Sequence, residues 1–314
     1  MSAGGARVGA IDIGTNSVLL LIASIEGNEL VPLVEQATIT RLGEGVDQTR
    51  RLAPAAVERT LACLAEYAGE LRRNGVERFE VVGTSAMRDA AGGEGFVDAA
   101  AERLGVRPRV IAGLEEAELT FAGALSGLGL SGPVSVFDVG GGSTEIIHGD
   151  AARTTPPTAA VSLDIGSVRL FERHLHSDPA TPAELSAVVA DIERALTSAP
   201  RAHGVTTLVG VAGTLATLAA IDLELVEYDA SRVHGHRLSL PTVAALAERL
   251  AALDLARRCA LPGLQPKRAD VIVVGAEIVR RVMLWSGASA LVVSDRGVRW
   301  GLAERLAKLA HTKT

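Results

Sequence analysis

The sequence predicts an α/β protein with two lobes of similar design, and three observations lead to this prediction. The chain has 314 residues, which is too long for one typical hydrophobic core and suits two domains of ~150 residues each. Apolar segments with strand and helix patterns alternate along the chain, as in layered α/β domains rather than helical bundles. A short motif also occurs twice, once in each half of the sequence.

The repeated motif aligns without gaps. Residues 8–17 read VGAIDIGTNS and residues 134–143 read VSVFDVGGGS, so that Asp12 aligns with Asp138. A single repetition is not a solenoid, and it indicates one supersecondary unit used once in each lobe. We therefore expect two lobes that face each other across a cleft. The glycine-rich stretch from residue 126 to residue 133 is the predicted boundary between them.

The predicted domains are residues 1–125 and residues 126–314, with the last helix, 298–314, allowed to pack on the first lobe. In the first lobe we predict strands at 8–13, 18–25, 30–40, 79–83 and 109–111, and helices at 54–74, 95–104 and 115–125. In the second lobe we predict strands at 135–139, 145–148, 207–211 and 290–293. Its predicted helices are one after Gly213 and those at 181–199, 241–253, 269–285 and 298–309.

Composition narrows the class of protein. Hydrophobic residues make up 48% of the chain and charged residues 22%, which is typical of a globular protein. Aromatic residues are only 3% and the formal net charge is −6, so base stacking and non-specific DNA binding are not expected. We see no signal peptide or membrane span, and we interpret Cys63 and Cys259 as buried thiols in a reducing compartment. The expected location is the cytoplasm, without a nucleic-acid or membrane partner.

Each copy of the motif is predicted to form a tight hairpin suited to phosphate. Asp12 or Asp138 ends a buried strand, and glycine and small hydroxyl side chains follow it. Glycine lets the backbone approach a phosphate closely, and successive N–H groups form an anion-binding concavity. The aspartate would repel phosphate, so its expected role is to hold Mg²⁺ or metal-bound water. The alternative is a pair of tight hairpins capped by aspartate, and two copies in matching context make it the weaker interpretation.

The stretch GLEEAE, residues 113–118, opens a predicted helix. Acidic residues are favoured in the first turn of a helix, so an ordinary helix start is one interpretation. The other is a general base that takes a proton from an attacking water molecule. The spacing alone leaves Glu115, Glu116 and Glu118 as alternatives.

Three further polar segments are candidates for ligand contacts. Arg88 follows the buried strand at 79–83, where an α/β domain binds ligands, and it either contacts phosphate or pairs with a nearby acid such as Asp89. The turn at residues 213–214 is a weaker candidate for anion binding at a helix start. The polar stretch 234–237 is interpreted as a loop, because histidines two residues apart do not share a helical face.

Seven short stretches of the sequence match motifs of one known protein family. They are residues 10–17, 83–88, 113–118, 137–145, 233–237, 268–272 and 293–297. This series resembles the exopolyphosphatase/guanosine pentaphosphatase family, a branch of the actin-like ATPase and sugar kinase superfamily. The stretches follow the order of the family and cover almost the whole chain. The hairpin motifs are shared across the superfamily, whereas the stretches at 113–118 and 293–297 are more particular to the family.

The resemblance implies an α/β fold of two ribonuclease-H-like lobes, each with a mixed sheet and flanking helices. It implies that Glu116 is the water-activating base and that Arg88 binds substrate phosphate. The residues that it implies for Mg²⁺ are Asp12, Asp138 and Glu145. The residues that it implies for the two phosphate loops are Gly14, Thr15, Asn16 and Ser17 in the first lobe, and Gly140, Gly141, Gly142, Ser143 and Thr144 in the second.

The activity implied by the resemblance is Mg²⁺-assisted hydrolysis of the terminal phosphate of inorganic polyphosphate, of guanosine pentaphosphate, or of both. These polyanions are the expected partners, and a homodimer is a further option. Longer family members have an extra helical region, so the chain resembles the short form and short polyphosphate chains are the expected substrates. Two other hypotheses stay open, namely a kinase or ATPase of the superfamily and a non-catalytic sensor of polyphosphate or alarmone.

Overall fold

The computed structural model describes residues 6–27, 29–91, 93–201 and 206–311. The chain divides into two compact units, of which the second is Ala124–Gly297. The first unit holds the residues up to Gly123 together with those from Val298 onward, so the last helix belongs to it. Within the described ranges, no helix is both long enough and apolar enough to cross a membrane.

The first unit is built on a five-stranded mixed sheet. Its strands are β1 (Arg7–Ile13), β2 (Ser17–Glu26), β3 (Glu29–Ile39), β4 (Arg78–Gly83) and β5 (Arg109–Val110). The strand order is β3-β2-β1-β4-β5. The first three strands form antiparallel pairs, whereas β4 pairs in parallel with β1 and with β5. Its helices before residue 124 are α1 (Val46–Thr49), α2 (Pro54–Arg73), α3 (Ser85–Asp89), α4 (Glu94–Leu104) and α5 (Gly113–Ala124).

The second unit has a six-stranded sheet with the same plan. Its strands are β6 (Pro133–Val139), β7 (Thr144–Asp150), β8 (Ala159–Leu163), β9 (Thr207–Val211), β10 (Arg237–Ser239) and β11 (Ala290–Val293). The order β8-β7-β6-β9-β11 has the same arrangement as the first sheet, and β10 is added at the edge. The repeat seen in the sequence is therefore a repeat of the topology, and the predicted class of two α/β lobes with mixed sheets is confirmed.

Helices surround the second sheet and one returns to the first unit. They are α6 (Ser167–His174), α7 (Pro182–Leu196), α8 (Ala212–Asp222), α9 (Ala230–Val233), α10 (Leu240–Ala252), α11 (Leu255–Cys259), α12 (Ile272–Ser286) and, in the first unit, α13 (Val298–His311). A 3₁₀ turn, Pro266–Arg268, precedes α12. Both cysteines are free; Cys63 is buried as predicted, whereas Cys259 is only partly buried because its helix lies at the surface.

The sequence prediction missed the strands β8 and β10 and the helix α6, as well as the shortest helices. Strand β8 is half-buried at the sheet edge and shows no alternation of apolar and polar residues. Helix α6 has Gly166 at its N-cap and therefore no side-chain cap, and the N–H groups of its first turn bond instead to carbonyls of residues 140–141. Such a start depends on a tertiary contact, so no local cap marks it in the sequence.

The side chains of β1 alternate between two hydrophobic clusters, one on each face of the first sheet. Ile11 and Ile13 belong to the cluster that packs against α2. Val8 and Ala10 face the other side and pack with Trp300 of α13 and with Leu119 of α5. Since side chains alternate along a strand, Asp12 belongs to the face that α5 and α13 cover.

Trp300→Ala is expected to destabilise the first unit by about 3–5 kcal/mol, because it leaves a cavity between the sheet and α13. The Trp300 side chain is 1% exposed, and its indole N–H donates to Glu35 at 3.1 Å. Leu309→Ala on the same helix is the matched control, since Leu309 is 53% exposed and its loss should change stability by less than about 0.5 kcal/mol. Chemical denaturation of both variants checks this, and equal effects would contradict the packing assigned to α13.

Candidate active site

Three neighbouring strand ends position the polar residues of the first unit. Strand β1 runs parallel to β4, with Asp12 opposite Val82. The backbone N–H of Thr84 donates to the Ile13 carbonyl at 3.1 Å, and the N–H of Ile111 donates to the Gly83 carbonyl at 3.0 Å. Because the carboxyl ends of parallel strands meet at one edge, Asp12 and the starts of α3 and α5 lie at the same end of the sheet.

The first predicted phosphate loop, residues 14–17, is a tight hairpin with an unsatisfied side chain. The Gly14 N–H donates to the Ser17 carbonyl at 2.9 Å, and the Asn16 carbonyl accepts from the N–H of Arg41 at 3.0 Å. Gly43 packs so closely on Thr15 that an added Cβ would overlap its side chain. The side-chain Oδ1 and Nδ2 of Asn16 are buried without a hydrogen-bond partner. Buried polar atoms of this kind are costly, so they mark a position that suits a polar ligand.

The three glutamates at the start of α5 have different surroundings. Glu118 is exposed, and Glu115 forms ion pairs with Arg109 and Arg305. Glu116 is buried, and its Oε2 lies 2.5 Å from Nη1 of Arg88. The structure therefore separates three residues that the sequence spacing left equivalent, and only Glu116 combines burial with a position beside the predicted phosphate-binding arginine.

Arg88 pairs with an acid, one of the two alternatives that the sequence left open, and its contact with phosphate stays a prediction. Besides its ion pair with Glu116, Nη1 donates to the Ile111 carbonyl at 3.0 Å. Arg88 lies on α3, directly after β4, so both the arginine and the glutamate are positioned by parallel strands. The arrangement orients the carboxylate of Glu116 and places positive charge next to it.

The pKa of Glu116 is raised above the ordinary range for glutamate. Burial is the main cause, because removal from water disfavours the charged form. The charge of Arg88 and its hydrogen bond act in the opposite direction, and nearby Asp89 raises the pKa further. A carboxylate with a raised pKa is a stronger base, which suits it to take a proton from water.

In the second unit, two predicted metal ligands lie on adjacent strands. Asp138 on β6 is paired directly with Glu145 on β7, and both are buried. Directly opposed residues of an antiparallel pair share one face of the sheet. Ser162 donates to Oε1 of Glu145 at 2.6 Å, and Asp138 Oδ2 would be in ordinary van der Waals contact, at 4.0 Å, with a Cβ added to Gly297.

Two carboxylates are a donor set that fits Mg²⁺. Among the residues that the structure describes, no group of three or more His, Cys, Asp or Glu side chains could hold a metal ion. Mg²⁺ is usually bound through one or two carboxylates, with water and substrate phosphate as its other ligands. Asp138 and Glu145 match that pattern, whereas Asp12 lies in the first unit and its role in metal binding stays a prediction.

The second predicted phosphate loop, residues 140–144, is held on one side by hydrogen bonds from α6. The N–H groups of Ser167 and Val168 donate to the carbonyls of Gly140 and Gly141 at 3.0 and 2.9 Å, and Arg169 Nε donates to the Gly142 carbonyl at 2.6 Å. Carbonyl and N–H point in opposite directions across a trans peptide. The N–H groups of Gly141, Gly142 and Ser143 therefore point away from α6, where they can meet an anion.

The loop at residues 140–144 closes with the same hydrogen bond as the first loop and has two further contacts of its own. The Gly140 N–H donates to the Ser143 carbonyl at 3.0 Å, which closes the same hairpin as in the first unit. Gly166 must be glycine for α6 to approach, because an added Cβ would overlap the Gly141 carbonyl. The Thr144 hydroxyl donates to the Ile165 carbonyl at 2.7 Å, so its proton is used within the protein.

Two arginines near these strand ends received no role in the sequence analysis. Arg169 is buried behind the second loop. Arg268 lies against Gly213, where an added Cβ would overlap its guanidinium, and burial lowers the pKa of Arg268. Gly213 follows β9, whose Val211 is opposite Asp138, and Ala212 has an unusual positive φ of 76°. Backbone strain of this kind often occurs at functional sites, and the sequence pointed to this region only through the turn at residues 213–214 and the stretch 268–272.

A repeated ribonuclease-H-like sheet, with a glycine hairpin after a buried aspartate in each copy, defines a class of enzymes that handle phosphate. The chain belongs to the Ppx/GppA phosphatase family, which it matches over residues 21–309. It is 41% identical to exopolyphosphatase 2 of Mycobacterium tuberculosis, over 96% of this chain and 98% of that protein. The predicted family is confirmed, and the chain is a phosphoanhydride hydrolase.

Solved structures are similar over the same length. A crystal structure of an exopolyphosphatase-like protein has a TM-score of 0.92 and 36% identity, and covers 98% of this chain and 99% of its own. The Ppx/GppA family member of Aquifex aeolicus has a TM-score of 0.81 and 31% identity, with coverage of 98% and 99%. These likenesses extend over both units of the chain.

Arg169→Met is expected to weaken phosphate binding by the second loop. A hydrogen bond from a charged donor contributes about 1.5–3 kcal/mol to the folded arrangement, so the substrate concentration for half-maximal phosphate release should rise by up to about 10- to 100-fold as the loop loses its orientation. Arg173→Met is the control on the same helix, because Arg173 is more exposed and pairs with Asp191 at 3.2 Å, away from the loop. Steady-state assays of both variants test this, and equal behaviour would contradict the role of Arg169.

Proposed function

We propose that this protein is an exopolyphosphatase that removes the terminal phosphate of inorganic polyphosphate, with short chains as substrates. The observation that carries the proposal is the buried Glu116, held at 2.5 Å by Arg88 beside the strand end that bears Asp12. A relative in Mycobacterium tuberculosis, which aligns over 96% of this chain and 98% of its own length, carries the name exopolyphosphatase 2. We further propose a cytoplasmic location, on the sequence composition given above.

In the proposed reaction, the deprotonated carboxylate of Glu116 accepts a proton from the attacking water. The water oxygen forms the new bond to the terminal phosphorus, and the bond to the bridging oxygen breaks. Arg88 keeps the carboxylate oriented and offers positive charge to the substrate. The outward N–H groups of residues 141–143 donate to phosphate oxygens, which stabilises charge that is present before and during transfer.

We propose that Asp138 and Glu145 hold Mg²⁺, and that Asp12 assists from the first unit. When bound, the ion offsets negative charge on the phosphates that the loops contact. The proposal is supported by the pairing of Asp138 with Glu145 on β6 and β7 and by the preference of Mg²⁺ for hard oxygen ligands. Without the ion, two buried carboxylates would repel a polyanion.

The two alternatives from the sequence have less support. A kinase or ATPase would need an adenosine pocket in the second lobe, and the turn at residues 213–214 is instead packed against Arg268. A non-catalytic sensor gains nothing from a buried base that is paired with Arg88. Membership of a phosphatase family favours hydrolysis over both, and guanosine pentaphosphate is retained as a second substrate to be tested.

Phosphate release from short polyphosphate, long polyphosphate, guanosine pentaphosphate and ATP, each with Mg²⁺ or with excess EDTA, tests the proposal. We expect Mg²⁺-dependent release from short polyphosphate at the highest rate. Glu116→Gln should lower kcat by about 10²–10⁴-fold while polyphosphate binding is mostly retained, because only the proton acceptor is lost. Glu118→Gln is the matched control, since Glu118 is an exposed residue of the same helix, and it should leave kcat unchanged.

Each outcome of this assay decides between specific alternatives. Tight ATP binding without polyphosphate hydrolysis would replace the proposal with a kinase or ATPase. Saturable polyphosphate binding without phosphate release would favour the sensor. Full activity of Glu116→Gln would exclude Glu116 as the base, and a higher rate with guanosine pentaphosphate would make the alarmone the preferred substrate.

The pH dependence of kcat should report the raised pKa of Glu116. The base works only when deprotonated, so kcat is expected to fall as the pH drops through a pKa that lies above the ordinary glutamate range. Arg88→Met removes both contributions by which Arg88 lowers that pKa, so the acidic limb should move to higher pH. Arg88→Lys retains a positive charge and should shift it less, and identical profiles for the three proteins would contradict the assigned pairing.

A further inference from the structure

Helix α13 contacts α5, the helix that carries Glu116, at two places within the first unit. Gly301 lies against the Leu119 backbone, where an added Cβ would overlap the carbonyl oxygen. One turn further along α13, Arg305 Nη1 donates to Oε1 of Glu115 at 3.0 Å. The first contact fixes the distance between the helices, and the second involves the residue immediately before the proposed base.

Arg305 is part of an ion-pair network that joins four elements of the first unit, α13, α5, β4 and β5. Its Nη2 contacts both carboxylate oxygens of Glu80 on β4 at 2.9 Å. Arg109 on β5 contacts the same two glutamates, Glu80 and Glu115, each at 2.7 Å. Isolated surface pairs contribute little, but a network with good geometry holds its members more firmly. Helix α5 is thereby tied at its first turn to β4, β5 and α13.

The position of Glu115 determines that of Glu116. Consecutive helical residues are rotated by about 100° around the axis, so Glu115 points to the ion-pair network while Glu116 points to Arg88. A helix rotation of about 10° would move a carboxylate at the end of such a side chain by roughly 1 Å. Displacements of about 1 Å from productive geometry can lower rates by about 10²-fold.

We propose that Arg305 is a positioning residue for the general base: through Glu115 it fixes the rotation of the first turn of α5 and so directs Glu116. This inference rests on the proposed function, because it concerns the same base. Helix α13 would then affect the rate of turnover, in addition to stabilising the first unit through Trp300. Arg305 does not contact Glu116 itself, so its effect is transmitted by the helix.

The test compares Arg305→Met with a control substitution that removes a different ion pair of α13. Arg305→Met is expected to lower kcat for short polyphosphate by about 10- to 100-fold while KM changes by less than about 2-fold. Arg305→Lys, which keeps the charge, should restore part of the rate. In the control, Glu35→Gln loses the ion pair with Arg299 at 2.9 Å and weakens the bond from Trp300, but leaves α5 untouched and should keep kcat.

A structural readout accompanies the kinetics. The Glu116 N–H donates to the Ala112 carbonyl at 2.9 Å, so its hydrogen exchange reports the first turn of α5. We expect faster exchange in Arg305→Met than in Glu35→Gln. Glu115→Gln keeps the size of the side chain, weakens the same network and should reproduce the loss of kcat. Because both changes act through one contact, the double variant with Arg305→Met should be no slower than the slower single variant.

The outcomes separate this inference from the proposed function. If Glu116→Gln lowers kcat but Arg305→Met and Glu115→Gln do not, the positioning role is overturned while the proposed base stands. If Glu116→Gln keeps full activity, the proposed base fails first. Equal losses in Glu35→Gln and Arg305→Met would show general destabilisation and overturn the inference. Should Arg305→Met not fold, Glu115→Gln alone decides through kcat and hydrogen exchange.

Discussion

The parallel pairing of the first and fourth strands in each sheet is the constraint that positions the predicted site residues of each unit. Strands β1 and β4 place Asp12 beside the start of α3, and β6 and β9 place Asp138 beside the start of α8. Parallel neighbours end at the same edge, so residues separated by about 70 positions in sequence become neighbours. The crossover helices between them supply the apolar layers that keep the strand ends in place.

Opposing electrostatic effects act on Glu116. Burial raises its pKa, while the ion pair with Arg88 lowers it, and burial is the larger effect. The pair also prevents a buried carboxylate from remaining uncompensated, which would cost several kcal/mol. The result is a carboxylate that is oriented by an arginine and is still more basic than an exposed glutamate. Removal of either effect would change both the protonation state and the orientation of the base.

The second loop shows how backbone N–H groups can be turned to one side of a hairpin. Helix α6 and Arg169 bind the loop carbonyls from one side, which turns the intervening N–H groups to the other side. Glycine is required at residue 166 for this close approach, because any Cβ would meet the loop backbone. Two carboxylates on the adjoining strands suit a cation that is shared with substrate rather than enclosed by protein ligands.

By itself the sequence determined the two-lobed α/β class, most strand and helix positions, the repeated hairpins and the family, because periodicity, glycine placement and motifs are local properties. Its residue spacing left Glu115, Glu116 and Glu118 as alternatives, although the family resemblance pointed to Glu116, and it gave no sign of α6 or of the contacts of Arg169 and Arg305. Only the tertiary structure shows the different surroundings of the three glutamates and these contacts. Burial and pairing are set by residues far apart in the chain, such as 88 with 116, 142 with 169 and 115 with 305, and no local pattern records which of them meet.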